Sequence, residues 1–151
     1  MIRTQRISRR RLADILHLVV ALREDFGRTV DPRRMAEALH ELMGKREGGL
    51  HVLVAWEGRF PVGYLMGGFT ASTVHMGLVF CIHELYVSKP YRGGATLKAL
   101  EAEALRFAAS KGARSMEVRL RRTQRELILL AEAMSFEPTG REVFERIIES
   151  E

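Results

Sequence analysis

Residues 83–97 have the sequence HELYVSKPYRGGATL, in which an apolar run passes a proline and two glycines and enters a helical pattern. The pair Gly93-Gly94 lets the backbone curl so that consecutive N–H groups point the same way. The helix that follows adds partial positive charge at its start. Such a turn is typical of a phosphate or pyrophosphate site, although a tight strand-to-helix connection without a ligand has the same pattern. The stretch lacks the Gly-Lys-Ser/Thr of a Walker loop and the GxGxxG fingerprint.

The sequence on either side of this turn predicts an α/β domain with a mixed sheet. Gly77–Val87 is too apolar for a strand with one wet face, so we expect it to be central and covered on both faces. Apolar residues then recur at helical spacing up to Gly112, and the alternation in Met116–Leu120 predicts another strand. Three further helices are predicted to start at Ser8, at Asp31-Pro32 and at a Thr123/Glu126 capping box. A hairpin is predicted from Leu50–Trp56 and Pro61–Phe69, and a closing strand from Val143–Ile148.

Length and composition exclude several classes of protein. The chain has 151 residues, of which 46% are hydrophobic and 28% charged, so we expect one globular domain over residues 1–151 and neither a disordered nor a fibrous chain. One cysteine, Cys81, excludes an internal disulfide framework and a cysteine-rich zinc site, and favours a cytoplasmic location. The apolar stretches are shorter than the roughly 18 residues that span a membrane, so we expect no membrane partner. No spacing of His, Cys, Asp or Glu indicates a metal site.

The net charge of +5 favours polyanionic partners and mildly disfavours polycationic ones. Arginines crowd the start of the chain, with three in succession at Arg9-Arg10-Arg11. Consecutive residues splay around a helix, and no aromatic residues are interleaved for base stacking. We therefore expect a solvated helix start and no nucleic-acid partner.

The turn and its surroundings resemble the GNAT superfamily, the GCN5-related N-acetyltransferases. The segment Glu84–Val87 followed by Pro90–Ala95 is similar to the acyl-CoA-binding motif of that family, which runs roughly as a hydrophobic strand and then V-x-P-x-Y-R-G-x-G-x-G-x-x-L. The hairpin sequence Val54–Leu65 and the segment Gln124–Phe136 resemble the family's hairpin and final helix. These motifs follow one another in the family's order and together cover most of the chain.

The resemblance implies a single GNAT-like domain with a strongly twisted mixed sheet of about six or seven strands and helices on both faces. It also implies that acetyl-CoA, or another short acyl-CoA, is the cosubstrate, and that the strands Gly77–Val87 and Met116–Leu120 splay apart to admit it. The residues that the resemblance assigns to acyl-CoA binding are Leu85, Tyr86, Val87, Arg92, Gly93, Gly94, Ala95, Thr96, Leu97 and Gln124. A homodimer is common in the family and is a further expectation.

The implied reaction is direct transfer of the acetyl group to a primary amine of a small molecule or protein. We expect Glu84 to accept the amine proton, and the Val87 N–H to lie near the oxyanion. The family's usual tyrosine acid falls on Ala131, so Tyr86 and Tyr91 are the candidate acids. A thiol titrates near pH 8.5, so CoA can leave as a thiolate without much help from an acid. Loss of the acid should therefore lower the rate less than loss of the base.

Several departures and alternatives stay open at this stage. Two later glycines of the family's loop fall on Ala95 and Leu97, and Leu97 either crowds a pyrophosphate or faces the core. His83 is adjacent to Glu84, and alternation along a strand points the two to opposite faces, which favours a core histidine. The alternative functions are a degenerate, non-catalytic GNAT-like interaction protein and, with less support, a basic nucleic-acid-associated protein.

Overall fold

Five strands and four α-helices make up the fold in a computed structural model that describes residues 1–149. The strands form one sheet in chain order, antiparallel except for the parallel pair at the end. They are β1 (Ile2–Ile7), β2 (His51–Glu57), β3 (Phe60–Ser72), β4 (Gly77–Val87) and β5 (Ser115–Val118). The helices are α1 (Leu16–Asp25), α2 (Pro32–Met43), α3 (Ala95–Ser110) and α4 (Arg125–Ala133), with two short 3-10 helices at Arg9–Asp14 and Lys89–Tyr91.

The sheet is covered on both faces because side chains alternate along β2. Val52, Val54 and Trp56 pack with the buried side chains of α1 and α2. Leu53 and Ala55 point the other way and pack with the apolar residues of α3. Residue alternation therefore divides the core into two layers, one under α1 and α2 and one under α3.

A β-bulge in the middle of β4 changes which face its side chains occupy. Met66 pairs with Glu84 and Gly67 with Ile82, so His83 has no partner on β3. Ile82 lies in the layer under α3, whereas Tyr86, four residues later, lies under α1. An uninterrupted strand would put both on the same face, so the extra residue reverses the alternation.

Gly67 permits the bulge because β3 and β4 approach closely there. A Cβ at Gly67 would clash with the carbonyl oxygen of Cys81. A glycine inside a strand is typical of a bulge or of such a close backbone approach.

β4 and β5 separate after a short pairing. Their register runs from Val79–Ser115 to Ile82–Val118, and the Arg119 N–H still donates to the Ile82 carbonyl oxygen at 3.0 Å. Beyond that point a cleft lies between the end of β4 and the segment that leads into α4. The separation of these two strands is as the resemblance implies.

The expected six or seven strands are not confirmed, because the sheet within residues 1–149 has five. The predicted closing strand Val143–Ile148 forms no ladder and is exposed, and a cavity of about 890 Å³ lies between β5 and the chain from Met134 to Val143. A strand needs a neighbour within hydrogen-bonding distance, and this cavity keeps the segment away from β5. Conversely, the sequence does not predict β1, because its polar residues and arginines show no clear alternation of apolar and polar side chains, as is typical of an exposed edge strand.

The predicted helix boundaries are partly correct. The Asp31 carboxylate accepts from the Arg33 N–H, with proline at the first helical position, as the sequence predicts. At the first helix, Ser8 makes no side-chain cap, and a 3-10 helix precedes α1. At α4 the residue preceding the helix is Gln124, so the predicted capping role of Thr123 is wrong.

Candidate active site

A cavity of about 280 Å³ occupies the cleft between the end of β4 and α4. Its wall is mostly apolar, and it includes most of the residues expected to bind an acyl-CoA. These are Leu85, Tyr86, Val87, Arg92, Gly94, Leu97 and Gln124, together with Tyr91. The cleft therefore brings together residues that lie up to about forty positions apart in the sequence.

The turn into α3 presents unpaired backbone donors. Gly94 precedes the helix with φ 101° and ψ −26°, a conformation that L side chains rarely adopt. The first hydrogen bond of the helix is donated by the Lys98 N–H to the Gly94 carbonyl, so the N–H groups of Ala95, Thr96 and Leu97 precede the helical ladder. This arrangement suits an anion at the start of α3.

The side chains of Thr96 and Leu97 are buried, at 2% and 4% exposure. Thr96 packs toward Gly63 of β3, where a Cβ on the glycine would be 3.3 Å from the threonine methyl. Leu97 therefore faces inward, and Ala95 is exposed. Of the two departures from the family's glycines, Leu97 is buried and Ala95 adds one methyl group to the outer surface of the turn.

Arg92 is held by groups of the protein itself. Its Nε donates to the Val87 carbonyl oxygen at 2.6 Å, its Nη2 lies 3.2 Å from Asp25, and the guanidinium is 5.4 Å from the Tyr86 ring centre. The Ser88 N–H donates to Val62 across the β3–β4 ladder, so by alternation the Val87 N–H points away from β3, toward the cleft. Arg92 thus fixes the end of β4, and the Val87 N–H is free to donate into the cleft.

The candidate acids lie in different surroundings. Tyr86 is 9% exposed and its pKa is raised, mainly by burial and then by Asp25. Tyr91 is half-buried in the 3-10 turn and packs on the α3 side of the core. Ala131 lines a separate small cavity with Phe136 and does not line the cleft.

A second cavity, of about 250 Å³, adjoins the first and shares four of its wall residues, Leu22, Phe26, Leu85 and Gln124. His83 and Glu84 both line it. The sequence predicted opposite faces for these two neighbours, and the bulge at His83 is the reason that they share one. We call this space the acceptor cavity, because it opens beside the cleft at the bulge.

Glu84 is bound on both oxygens. Arg23 of α1 makes a bidentate pair with it, at 2.5 and 2.6 Å, and the Tyr64 hydroxyl donates to Oε1 at 3.0 Å. The pairing with Glu84 raises the pKa of Arg23, and burial raises the pKa of Tyr64 far above its ordinary value. Arg23 therefore stays charged and Tyr64 stays protonated at neutral pH.

His83 differs from Glu84 in that no hydrogen bond to its ring occurs within residues 1–149. Burial lowers its pKa, and so does the positive charge of Arg119, while Glu84 acts in the opposite direction. The imidazole is therefore neutral at pH 7 and able to accept a proton.

Sequence reasoning missed the arginines of the acceptor cavity. Its wall contains Arg23, Arg28, Arg119 and Arg121. These come from α1, from the loop after it and from the segment after β5, and no local motif connects them. A glycine pair inside β3, Gly67-Gly68, was the one sequence signal for the bulge beside them.

The described residues contain neither a metal-binding cluster nor a membrane-spanning helix. Among the described residues, no group of three or more His, Cys, Asp or Glu side chains is placed to hold a metal ion. No helix in residues 1–149 is both long enough and apolar enough to cross a membrane.

Solved structures share the fold with low sequence identity. A protein described as a "probable acetyltransferase" superposes with a TM-score of 0.84 at 18% identity, covering 99% of each chain. The ribosomal-protein-alanine N-acetyltransferase of Brucella melitensis biovar Abortus 2308 has a TM-score of 0.80 at 16% identity, covering 97% of this chain and 99% of that one. The aminoglycoside N-acetyltransferase AAC(6')-Iy, solved in complex with CoA, has a TM-score of 0.83 at 17% identity, covering 97% and 95%.

No curated protein matches the chain by sequence. The family model of the GNAT acetyltransferases, however, matches residues 16–136, which is more than half of the chain and contains the cleft, the turn into α3 and α4. The chain therefore belongs to the GNAT family of acetyltransferases.

Proposed function

We propose that this protein transfers an acetyl group from acetyl-CoA to a primary amine held in the acceptor cavity. The observation that carries the proposal is the position of that cavity, which adjoins the cleft at the point where β4 and β5 separate. A donor in the cleft and an amine in the acceptor cavity would meet beside Leu85, which lines both. Direct transfer needs this kind of proximity between the two reactants.

The residues of the cleft fit an acyl-CoA. The free N–H groups at the start of α3 suit a pyrophosphate, and the apolar wall formed by Leu127 and Leu130 of α4 suits an extended, uncharged arm. Backbone groups of Leu85 would pair with the amides of that arm, as an added strand does, which leaves the Val87 N–H for the thioester. When bound, acetyl-CoA supplies the acetyl group as a thioester.

The Val87 N–H would stabilise negative charge on the reacting carbonyl oxygen. It belongs to a strand end that Arg92 holds in place through the Val87 carbonyl. One preorganised donor of this kind contributes about 3 kcal/mol to the transition state.

The proton of the amine has two candidate acceptors. Glu84 is the residue that the sequence predicts, acting through a water. Its protonation, however, would disrupt the bidentate pair with Arg23, whereas proton uptake by His83 breaks no hydrogen bond within residues 1–149. We therefore favour His83 as the base and propose that Glu84 positions Arg23 and Tyr64.

The leaving thiolate needs less help than the amine. Tyr86 and Tyr91 line the cleft and are the candidate acids, since Ala131 does not reach it. A free thiol with a pKa near 8.5 is about one quarter ionised at pH 8, so the thiolate is a tolerable leaving group and either tyrosine would contribute modestly.

Two measurements test the proposed function. Calorimetric titration with acetyl-CoA should show binding, and release of free CoA thiol should accelerate when amines are added. No heat at millimolar acetyl-CoA would contradict the proposal. Binding without amine-dependent release of thiol would instead support a non-catalytic, GNAT-like interaction protein, for which Ala131 is the remaining argument.

The pH profile distinguishes the two candidate bases. With His83 as the base, kcat/KM should rise with pH through a pKa below 6.5 and level off above it, because only the neutral ring accepts a proton. His83→Gln should lower kcat/KM by about 10²-fold and remove this limb. His40→Gln, an exposed histidine on α2, is the control. If Glu84→Gln removes the limb and His83→Gln keeps it, Glu84 is the base.

A further inference from the structure

The wall of the acceptor cavity has an excess of positive charge. Within residues 1–149 the cavity is lined by four arginines, and Glu84 is its one carboxylate. The bidentate pair with Arg23 neutralises that carboxylate. Arg28, Arg119 and Arg121 make no ion pair within the described residues, so their charges are uncompensated.

Of the three free arginines, Arg121 has its guanidinium packed against an aromatic ring. The Arg121 guanidinium lies 4.2 Å from the ring centre of Phe26, a face-on contact that leaves its N–H edges open to hydrogen bonding. The backbone of Arg119 is fixed by its hydrogen bond to Ile82 at 3.0 Å. Arg119 also contributes to the lowered pKa of His83, so its charge is close to that ring.

The charge of the cavity bears on which amines it admits. A polycation would meet three uncompensated arginines and no free carboxylate, and like charges brought together cost several kcal/mol. An oxyanion, by contrast, would accept charge-assisted hydrogen bonds from forks that match its planar geometry. The volume of about 250 Å³ is below the range of drug-sized ligand pockets, which favours a small acceptor.

We propose that the acceptor is a small primary amine that carries an oxyanion group, a carboxylate, phosphate or sulfonate, bound by Arg28, Arg119 and Arg121. The amine end lies toward His83 and the cleft, and the oxyanion end lies among the arginines. The proposal rests on the proposed function, since it names the substrate class of the same site. The reaction joins the amine nitrogen to the acetyl carbon and breaks the thioester C–S bond. Starting from the ammonium form, the nitrogen loses two protons, of which one ends on the CoA thiol and one is released to solvent.

The activity test compares amines that differ in the oxyanion alone. O-phosphoethanolamine is paired with ethanolamine, and β-alanine with its amide, with taurine as a sulfonate and spermidine as a polycation. We expect kcat/KM to be at least about tenfold higher for each oxyanion amine than for its neutral partner, because one charge-assisted contact supplies about that factor. The three oxyanion amines also show which anion the arginines prefer.

Variants assign the preference to the arginines. Arg119→Gln and Arg121→Gln should each lower the ratio of kcat/KM for an oxyanion amine to kcat/KM for its neutral partner by about tenfold or more. Arg122→Gln is the matched control, since that side chain is 92% exposed, makes only a 3.5 Å contact with Glu142 and loses the same charge. An equal loss in all three variants would overturn the proposal, because it would reflect net charge alone.

A binding experiment separates this inference from the proposed function. The protein saturated with CoA is titrated with O-phosphoethanolamine and with ethanolamine, followed by calorimetry. If the oxyanion amine alone binds, binding is lost in Arg119→Gln, and no amine is acetylated, the arginines bind an oxyanion as inferred, but the proposed function fails and with it the role of that amine as acceptor. If ethanolamine or spermidine is acetylated as efficiently as the oxyanion amines, the proposed function stands and the inference is overturned. The inference also fails if O-phosphoethanolamine neither binds nor reacts.

Discussion

Removal of one partner of the Arg23–Glu84 pair should destabilise the protein more than loss of any surface ion pair. Breaking a fully buried pair costs about 3 to 5 kcal/mol, because the remaining charge is left without a partner. The exposed fractions of these side chains are 20% and 23%, so water screens part of that charge. We therefore expect Arg23→Met to lower the free energy of unfolding by about 2 to 3 kcal/mol, and Glu84→Gln by a similar amount.

The double variant isolates the interaction between the two side chains. Arg23→Met combined with Glu84→Gln should lose much less than the sum of the single variants, with a coupling energy of about 2 kcal/mol. The measurement is urea unfolding followed by far-UV circular dichroism, with m unchanged among the variants.

The i,i+4 pair Arg33–Glu37 on α2 is the matched control for this cycle. Its side chains are 88% and 66% exposed, with a nitrogen–oxygen distance of 3.4 Å. Such exposed pairs have coupling energies of about 0.3 to 0.5 kcal/mol. If the Arg23–Glu84 coupling is no larger than that of the control, the carboxylate is not held by the arginine in solution. The argument that assigns Glu84 to positioning would then be refuted.

Three further predictions concern the cleft and the bulge. Gly94→Ala should weaken acetyl-CoA binding in a calorimetric titration by about tenfold or more, because φ 101° strains any L side chain. Gly93→Ala should weaken it less, because a Cβ there meets no protein atom within 4 Å. Gly67→Ala should lower the free energy of unfolding in urea by about 1 to 3 kcal/mol, because its Cβ would clash with the carbonyl oxygen of Cys81. An unchanged urea midpoint would show that the bulge can relax. Tyr86→Phe and Tyr91→Phe should each lower kcat by less than about tenfold at pH 8, and a loss of 10²-fold in either would identify an essential acid.

The elements that the sequence predicts well are those whose signals are local. The apolar run Gly77–Val87 is the strand β4 residue for residue, because a continuous apolar stretch between turn residues has few other folded forms. Asp31-Pro32 starts α2 because both the cap and the fixed φ of proline act within one turn. The turn at Gly94 follows for the same reason, since its backbone conformation is one that glycine alone adopts readily.

The features that the sequence did not predict depend on contacts between distant residues. Arg23 and Glu84 are 61 positions apart, and nothing near either residue indicates the other. Val143–Ile148 has the composition of a strand, yet composition cannot show whether a neighbouring strand lies within reach. The bulge likewise depends on two strands, because Gly67 of β3 permits it and the side chains of β4 change faces at it.

The charge of the acceptor cavity also depends on contacts between distant residues. The net charge of the chain says little about any one site, whereas these contacts determine the charge of the cavity. A net charge of +5 in 151 residues only mildly disfavours polycationic acceptors, because its field depends on where the charges lie. The bulge places Glu84, the one carboxylate of the cavity wall within residues 1–149, against Arg23, which cancels its charge, while His83 stays in the wall beside Arg119. The remaining arginines, whose side chains are exposed, keep their charge around a space of about 250 Å³. It is this cancellation, more than the number of arginines, that favours an acceptor with an oxyanion group.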